Sequence, residues 1–241
     1  SPQCTPAASS VGLATGNATG AGLRCFSTAG YGYLIRYGNA FALLSTRFAT
    51  ALIRACLMST ITTEQALAVL RKAELLHTPE QIETALNRMA AAIAAQLESR
   101  DPLVLIVMNG AFIPAAQLLS RLNFPLRVGY LHATRYRGAT RGGDMDWIAL
   151  PRPAVNDQVV LVVDDIFDEG STLQAILAEV HQQGAAAVYS ASLVNKRHNR
   201  KVPGLTVDFI GLDVPDRYVF GCGMDYKGYW RNLPAIYAAR D

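Results

Sequence analysis

The fold is decided by residues 159–173, which read VVLVVDDIFDEGSTL. Residues 159–163 form a run of five Val and Leu residues, which predicts a strand buried on both faces, as strands of a parallel sheet are. Three acids follow within five positions, and Gly170 then leads into an amphipathic segment with apolar residues at helical spacing over residues 173–180. The order of strand, acidic loop and helix predicts an α/β fold.

The acidic loop itself predicts a ligand. A loop that enters a helix in this way directs backbone N–H groups and the positive end of the helix dipole at one point, where a phosphate binds. The hydroxyls of Ser171 and Thr172 add donors. Asp164 and Asp165 would repel a phosphate, so we expect them to bind sugar hydroxyls or a phosphate-bridging Mg²⁺. The loop therefore predicts a ribose that carries phosphate, and the alternative is an acidic turn between a core strand and a helix.

The composition is that of an ordinary globular protein, since 51% of the 241 residues are hydrophobic and 17% are charged. The first 57 residues contain four arginines, no lysine and no acid. Residues 58–241 therefore hold 18 basic and 19 acidic residues, and the formal net charge of +3 belongs to the first segment. A near-neutral main domain argues against a protein that coats nucleic acid.

Residues 1–57 are predicted to be a leader without function, either disordered or translated from upstream of the true start. Met58 is the favoured start, because residues 58–60 run directly into the first helix signal. The alternative is an organelle transit peptide, of which an Arg-bearing, acid-free and Ser-rich composition is typical. The apolar stretch at residues 40–57 is interrupted by Arg47 and Arg54, so no membrane span is predicted.

The second predicted domain, residues 58–241, has Cys222 as its one cysteine. A disulfide framework and a cysteine-based zinc site are therefore excluded there, and the four histidines of the chain show no ligand spacing. We expect a reducing, cytoplasmic location for this domain.

Helix and strand signals continue through the main domain. A capping box of Thr62 with Gln65 predicts a first helix, which reaches Leu75. An N-cap at Thr78, followed by Pro79 at the first helical position and then Glu80 and Gln81, predicts a second helix. On the second helix, an apolar stripe from Ile82 to Leu97 predicts core packing. Further strands are predicted at residues 103–108, 126–132, 188–194 and 208–213.

A polar loop at residues 134–146 holds Arg135, Arg137 and Arg141 between glycines. A dozen residues without secondary structure are unusual in a compact α/β domain. Arginines between glycine hinges favour a lid that closes on an anionic ligand, and a solvated charged loop is the alternative.

Residues 162–172, VVDDIFDEGST, closely resemble the signature of type I phosphoribosyltransferases, which binds 5-phosphoribosyl 1-pyrophosphate (PRPP). Residues 208–234 resemble the hypoxanthine-guanine branch of this family, and the likeness extends over residues 59–240. The resemblance implies an α/β fold, a parallel sheet flanked by helices with a small C-terminal hood. It also implies purine salvage, the transfer of 5-phosphoribosyl from PRPP to hypoxanthine or guanine, which yields IMP or GMP and pyrophosphate, with Mg²⁺ as cofactor.

The resemblance assigns roles around the phosphoribosyl group. Asp168 would be the catalytic proton acceptor for N7 of the base. The residues that would bind the 5′-phosphate and ribose of PRPP are Asp164, Asp165, Asp168, Glu169, Gly170, Ser171 and Thr172. Pyrophosphate would contact Asn109, Gly110 and Arg231, although many family members have Lys where Asn109 stands. The lid would present Arg135 and Tyr136.

On the base side, the resemblance implies that Lys196 reads the 6-oxo group and that Tyr218 stacks on the purine. The full implied base-binding set is Lys196, Tyr218, Val219 and Asp225. The implied Mg²⁺ ligands are Asp164, Asp165 and Asp225.

We expect small-molecule substrates, PRPP and a 6-oxopurine, with no nucleic-acid or membrane partner, and a homo-oligomer, either a dimer or a tetramer. Two alternatives stay open. One is a phosphoribosyltransferase of another base specificity, such as xanthine or adenine. The other is a PRPP-binding regulator that binds RNA or DNA and catalyses no reaction, which the near-neutral charge of residues 58–241 disfavours.

Overall fold

The structure is a computed structural model that describes residues 24–28, 32–37, 40–44, 61–135, 145–152 and 154–240. The chain divides into two compact units, residues 1–61 and 62–241. In the first unit, three strands form an antiparallel sheet, β1 (Arg24–Thr28), β2 (Gly32–Tyr37) and β3 (Ala40–Leu44). That residues 1–57 are a leader without function stays a prediction.

The second unit is built on a six-stranded sheet of order β10-β9-β8-β5-β6-β7. The neighbours from β10 to β6 are parallel, and β7 lies antiparallel to β6 at the edge. The strands are β5 (Leu103–Val107), β6 (Arg127–Arg135), β7 (Met145–Arg152), β8 (Val159–Phe167), β9 (Ala187–Arg197) and β10 (Phe209–Pro215). The predicted parallel sheet is therefore confirmed.

Within the described residues, four helices accompany this sheet: α1 (Thr63–Lys72), α2 (Pro79–Leu97), α3 (Phe112–Leu119) and α4 (Ser171–Gln182). The predicted capping box at Thr62 and the predicted N-cap at Thr78 are both confirmed, because each threonine side chain accepts the N–H of the glutamine three residues later. The side chain of that glutamine accepts the N–H of the threonine in turn, so Thr78 also forms a capping box. The predicted stripe on α2 is buried. None of the helices in the described part of the chain is long and apolar enough to cross a membrane.

The central strand β8 is buried on both faces, as its apolar run predicts. Leu161 and Val163 pack with residues of α2 and α3 on one face of the sheet. Val160 and Val162 pack with residues of α4 on the other face. Side chains that alternate along a strand thus fill two cores at once, which fixes the register of β8.

The predicted first helix is too long. It ends at Lys72, and Leu75 lies instead in a short strand, β4 (Glu74–His77). This strand pairs antiparallel with β12 (Ile236–Ala238), which in turn pairs with β11 (Val219–Phe220). The three strands, together with the hairpin that follows β11, form the small C-terminal hood expected from the sequence.

The predicted loop at residues 134–146 is shorter than expected at both ends. Strand β6 continues to Arg135, and β7 begins at Met145 and pairs with it. Tyr136 and the remaining residues of the predicted lid lie outside the described residues.

The sheet topology places a crevice between β5 and β8. From β5 the chain crosses through α3 to β6 on one side, and from β8 it crosses through α4 to β9 on the other side. Ligands of open α/β sheets bind at the carboxyl ends of strands where the winding direction reverses in this way. The acidic loop after β8 lies at that point.

Candidate functional site

A cleft of about 470 Å³ opens at the carboxyl ends of β5 and β8. Its walls come from the ends of β5 and β8 with the loops that follow them, from β6, and from the hood. They bring together eleven residues predicted from the sequence: Asn109, Gly110, Asp164, Asp165, Asp168, Glu169, Gly170, Ser171, Thr172, Asp225 and Arg231.

The loop predicted to bind phosphate, residues 168–172, is called the phosphate loop and leads directly into α4. Gly170 has a φ of +88°, and a Cβ at this position would lie 2.5 Å from the ring of Phe167, so the turn requires glycine. Gly170 is also the N-cap of α4, which makes the first N–H groups of the helix face the cleft beside Ser171 and Thr172. This is the geometry of an anion site at a helix N-terminus.

Asp164 and Asp165 form a pair of partly buried carboxyls at the end of β8. Oδ1 of Asp164 accepts the N–H of Asp165, and Oδ1 of Asp165 accepts the N–H of Ile166, each at 2.9 Å. Burial and the neighbouring Asp165 hold the pKa of Asp164 well above its usual range. Burial also raises the pKa of Asp165, against the hydrogen bond from Asp164 and the charge of Arg231. Such a pair favours a bound cation or hydroxyl donors.

The hood supplies a cation to the cleft. Nη1 of Arg231 donates to the carbonyl of Gly223 at 2.7 Å, and Nη2 lies 2.5 Å from Oδ1 of Asp225. The other carboxylate oxygen of Asp225 accepts the N–H of Gly228 at 2.7 Å. A Cβ on Gly223 would lie 2.1 Å from the carbonyl oxygen of Gly110, so the hood and the loop after β5 are in direct contact.

Asp168 is held by two partners from the end of β9. Its Oδ2 accepts from Nζ of Lys196 at 2.6 Å, and its Oδ1 lies 2.7 Å from Nε2 of His198. Burial alone would raise the pKa of Asp168, but the hydrogen bonds from Lys196 and His198 outweigh it and hold this pKa below its usual range. The aspartate predicted to accept the proton is therefore an anion with the partly buried ammonium of Lys196 at its side.

The cleft suits a hard cation such as Mg²⁺, because five of its described lining residues are Asp or Glu and offer carboxylate oxygens as ligands. No group of three or more His, Cys, Asp or Glu side chains among the described residues could hold a metal ion by itself. Mg²⁺ commonly binds through one or two carboxylates with substrate oxygens and water. The residues present therefore fit a metal that arrives with a phosphorylated substrate.

Of the predicted base-binding residues, Tyr218, Val219 and Asp225 lie at β11 and in the hairpin after it, and Lys196 lies near the end of β9. Tyr218 is 51% exposed and contacts the ring of Tyr226 edge-on, with centroids 5.0 Å apart. The Val219 side chain is buried, and its strand pairs with Ala238. Lys196 reaches the cleft through its ion pair with Asp168. Arg135, predicted for the lid, lies at the end of β6.

Sequence reasoning missed His198 and His132, because it judged the histidines only by metal-ligand spacing. His132 lines the cleft from β6, and His198 contacts Asp168. The available signal was the spacing of Lys196 and His198, since residues two apart in an extended segment face the same side.

Comparisons with known proteins agree with this geometry. The family model described as the phosphoribosyl transferase domain matches residues 73–227. A hypoxanthine-guanine-xanthine phosphoribosyltransferase from Tritrichomonas foetus is 28% identical over 161 residues, which are 67% of this chain and 88% of that protein. The hypoxanthine-guanine phosphoribosyltransferase of Bacillus subtilis is 27% identical over 164 residues, which are 68% of this chain and 91% of that protein. The structure of a hypoxanthine-guanine phosphoribosyltransferase from Bacillus anthracis matches with a TM-score of 0.65 at 27% identity and covers 69% of this chain and 98% of that one.

Proposed function

The chain belongs to the phosphoribosyl transferase domain family, and we propose that it transfers the 5-phosphoribosyl group of PRPP to hypoxanthine or guanine. The products are IMP or GMP and pyrophosphate, as in purine salvage. The observation that carries this proposal is the cleft between β5 and β8, where a phosphate loop, a carboxyl pair and a lysine-bound aspartate meet.

PRPP would lie along the cleft with its 5′-phosphate on the N–H groups of residues 168–172. Asp164 and Asp165 would then face the ribose hydroxyls, and their raised pKa values favour partners that donate or carry positive charge. These two acids would also hold Mg²⁺, which when bound neutralises the charge of the pyrophosphate. Asp225 would act on the same group through Arg231, whose guanidinium it orients.

The pyrophosphate would lie between the loop after β5 and Arg231. Both line the cleft, and the hood holds Arg231 in place through the carbonyl of Gly223. Asn109 stands where many family members have lysine, so this loop offers neutral donors. Among the described residues that line the cleft, Arg231 then contributes a cation to the leaving group.

The purine would compete with Asp168 for Lys196. A 6-oxo group accepts a hydrogen bond, so it can draw the ammonium of Lys196 away from Oδ2 of Asp168. Asp168 then loses the nearby cation while it stays partly buried, and its pKa rises. Oδ2 becomes both vacant and more basic, and it can accept the N7 proton as N9 becomes the nucleophile. The base of the reaction is thus activated by the substrate that needs it.

As C1′ of the ribose leaves the pyrophosphate and bonds to N9 of the purine, the ribose passes through an oxocarbenium-like state. The protein forms no covalent bond in this scheme. Its contribution is to position the two reactants and to neutralise the departing pyrophosphate, and both effects lower the barrier.

The direct test is release of pyrophosphate from PRPP with each of hypoxanthine, guanine, xanthine and adenine. The proposal expects release with hypoxanthine and guanine and formation of the matching nucleoside 5′-monophosphate. A PRPP-binding regulator would instead bind PRPP without turnover of any purine, and turnover of adenine alone would indicate the other specificity. A homo-oligomer and a cytoplasmic location stay predictions, which light scattering and cell fractionation would check.

A further inference from the structure

The phosphate loop is held from behind by a strap, residues 198–202, which follows β9. Three consecutive residues of the loop region are contacted by three residues of the strap. Lys201 donates to the carbonyl of Phe167 at 3.3 Å, and its ammonium also lies 3.6 Å from the centroid of that ring. The N–H of Val202 donates to the carbonyl of Glu169 at 2.9 Å. His198 contacts Asp168 between them.

His198 is the member of the strap that touches a reacting group. Its side chain is 3% exposed. Nδ1 accepts the backbone N–H of Arg200 at 3.0 Å, so Nδ1 carries no proton. Nε2 therefore carries the proton and donates to Oδ1 of Asp168 at 2.7 Å. The strap thus fixes both the tautomer and the orientation of the ring.

We propose that His198 is a positioning residue for Asp168, which as a neutral donor anchors Oδ1 so that Oδ2 alone faces Lys196 and the purine. The inference rests on the proposed function, in which Asp168 accepts the N7 proton. Because the hydrogen bond from His198 fixes Oδ1, Oδ2 keeps a defined position when the ammonium of Lys196 moves to the purine. Without that anchor the carboxylate can rotate, and both oxygens share the remaining contacts.

The surroundings of Asp168 support a neutral donor at this position. The charged groups that act on Asp168, His198 or their neighbours are Lys196, Lys201, Arg200, Glu169 and Asp216. Lys196 already provides a cation on Oδ2. A hydrogen bond to Oδ1 adds to the stability of the carboxylate form, since donation to an anion favours its charged state.

Two substitutions of His198 distinguish the effect of its N–H donor from the effect of its side-chain volume. His198→Gln keeps an uncharged N–H donor at a similar reach, and His198→Leu keeps volume and loses the donor. His181→Leu is the matched control, because His181 is exposed in the last turn of α4. Each variant is compared with the unmutated enzyme for melting temperature, for kcat and PRPP KM with hypoxanthine, and for the pH profile of kcat/KM.

The proposal expects kcat to fall on the order of 10- to 100-fold in His198→Leu, while the KM for PRPP changes by less than about threefold. The acid limb of the kcat/KM profile should move to higher pH in this variant, because Asp168 has lost a donor to its anion. His198→Gln should recover most of the rate and the original limb. The proposal would be overturned if His198→Leu and the unmutated enzyme had the same kcat and the same acid limb of the kcat/KM profile. It would also be overturned if kcat fell as far in His198→Gln as in His198→Leu.

A readout independent of turnover separates this inference from the proposed function. The ¹³C signal of the Asp168 carboxyl, identified by its loss in Asp168→Asn, can be titrated in the free enzyme. Its midpoint should lie at higher pH in His198→Leu than in His198→Gln, even if no purine is a substrate. Identical midpoints would refute the role of His198, and absence of pyrophosphate release by the unmutated enzyme would refute the function alone.

Discussion

The carboxylate of Asp165 lies directly against Gly110, so closely that a Cβ on Gly110 would lie 1.9 Å from Oδ2 of Asp165. Asp165 lies near the carboxyl end of β8, and Gly110 follows β5. These neighbouring strands are the two between which the winding of the sheet reverses. The contact therefore joins the ribose side and the pyrophosphate side of the proposed site. Position 110 requires glycine because the Asp165 carboxylate occupies the space of a Cβ, and not because of the backbone conformation of Gly110.

Gly110→Ala should weaken PRPP binding by about tenfold or more, because the methyl group forces a charged ligand-binding carboxylate out of place. Isothermal titration of PRPP with Mg²⁺ measures the effect. Gly204→Ala is the control, since Gly204 has a φ of +76° with no atom within 4 Å of an added Cβ. Gly204→Ala should lower the free energy of unfolding by about 1–2 kcal/mol, because alanine disfavours the left-handed backbone conformation. It should leave the affinity for PRPP unchanged. Equal affinity in Gly110→Ala and the unmutated enzyme would mean that Asp165 does not contact the ligand.

Asp168→Asn should lower kcat by about 10²–10⁴, the usual loss on removal of a general base, with a modest change in the KM for PRPP. An amide keeps the shape of the side chain and its bond to His198 but cannot accept the N7 proton. Steady-state kinetics with hypoxanthine measure both constants. A collapse of PRPP affinity with an unchanged kcat would show that Asp168 binds substrate and does not accept the proton.

The partly buried pair of Asp164 and Asp165 should lower the stability of the ligand-free protein at neutral and alkaline pH while it favours ligand binding. Since the pKa of Asp164 is raised in the folded state, the native protein binds more protons than the unfolded chain above the unfolded pKa. The stability from this group is complete below the unfolded pKa and is lost as pH rises through the folded pKa. Asp164→Asn should therefore raise the melting temperature of the ligand-free protein at pH 8 by about 2–4 °C and have less effect at pH 5.

Thermal unfolding in EDTA at the two pH values measures this difference, and Asp157→Asn is the control because Asp157 is exposed. The same Asp164→Asn variant should bind PRPP with Mg²⁺ more weakly. A variant that is less stable at pH 8 than the unmutated protein would contradict the pKa assignment.

The parts of the fold that local sequence determines were predicted well. The apolar run 159–163 specifies a strand buried on both faces, and the threonines at positions 62 and 78 specify helix starts, because each signal needs only neighbours within a few residues. The pairing of β4 with β12 could not be predicted in this way, since it joins residues about 160 positions apart and Leu75 also fits a helical pattern. At Leu75 the pairing of β4 with β12 therefore outweighs the local preference for a helix.

The candidate site shows the same division. The phosphate loop could be predicted, because strand, loop and helix are contiguous in the chain. The bond between Asp168 and His198 spans 30 residues and depends on the register of β8 against β9. The spacing of Lys196 and His198 indicates that the two side chains face the same side, but it does not identify Asp168 as their partner. The contact of Asp165 with Gly110 likewise depends on which strands become neighbours.

Residues 58–241 should suffice for activity. The matched family region, residues 73–227, and every residue of the candidate site lie within the second compact unit. A chain that begins at Met58 is compared with the full chain for melting temperature and for kcat/KM. Agreement within about twofold in kcat/KM is expected, and a large loss of either quantity would show that residues 1–57 support the fold or the site.

The choice of purine rests on the chemistry of Lys196. Its ammonium has three donors and no acceptor, so it suits a 6-oxo group and faces the 6-amino group of adenine donor to donor. Adenine would also leave Lys196 on Asp168, where the two are 2.6 Å apart, and the base would stay blocked. Lys196→Gln, whose amide offers either a donor or an acceptor, should narrow the gap between the purines, mainly by a loss of rate on the oxopurines.

The ratio of kcat/KM for hypoxanthine to kcat/KM for adenine, measured on the unmutated enzyme with saturating PRPP and Mg²⁺, tests the central claim most directly. A site built on a buried hydrogen bond rejects the analogue that lacks it strongly, so a ratio on the order of 10⁴ is expected. A kcat/KM for adenine within about tenfold of that for hypoxanthine would contradict the role of Lys196 and, with it, the assignment of this chain to 6-oxopurine salvage.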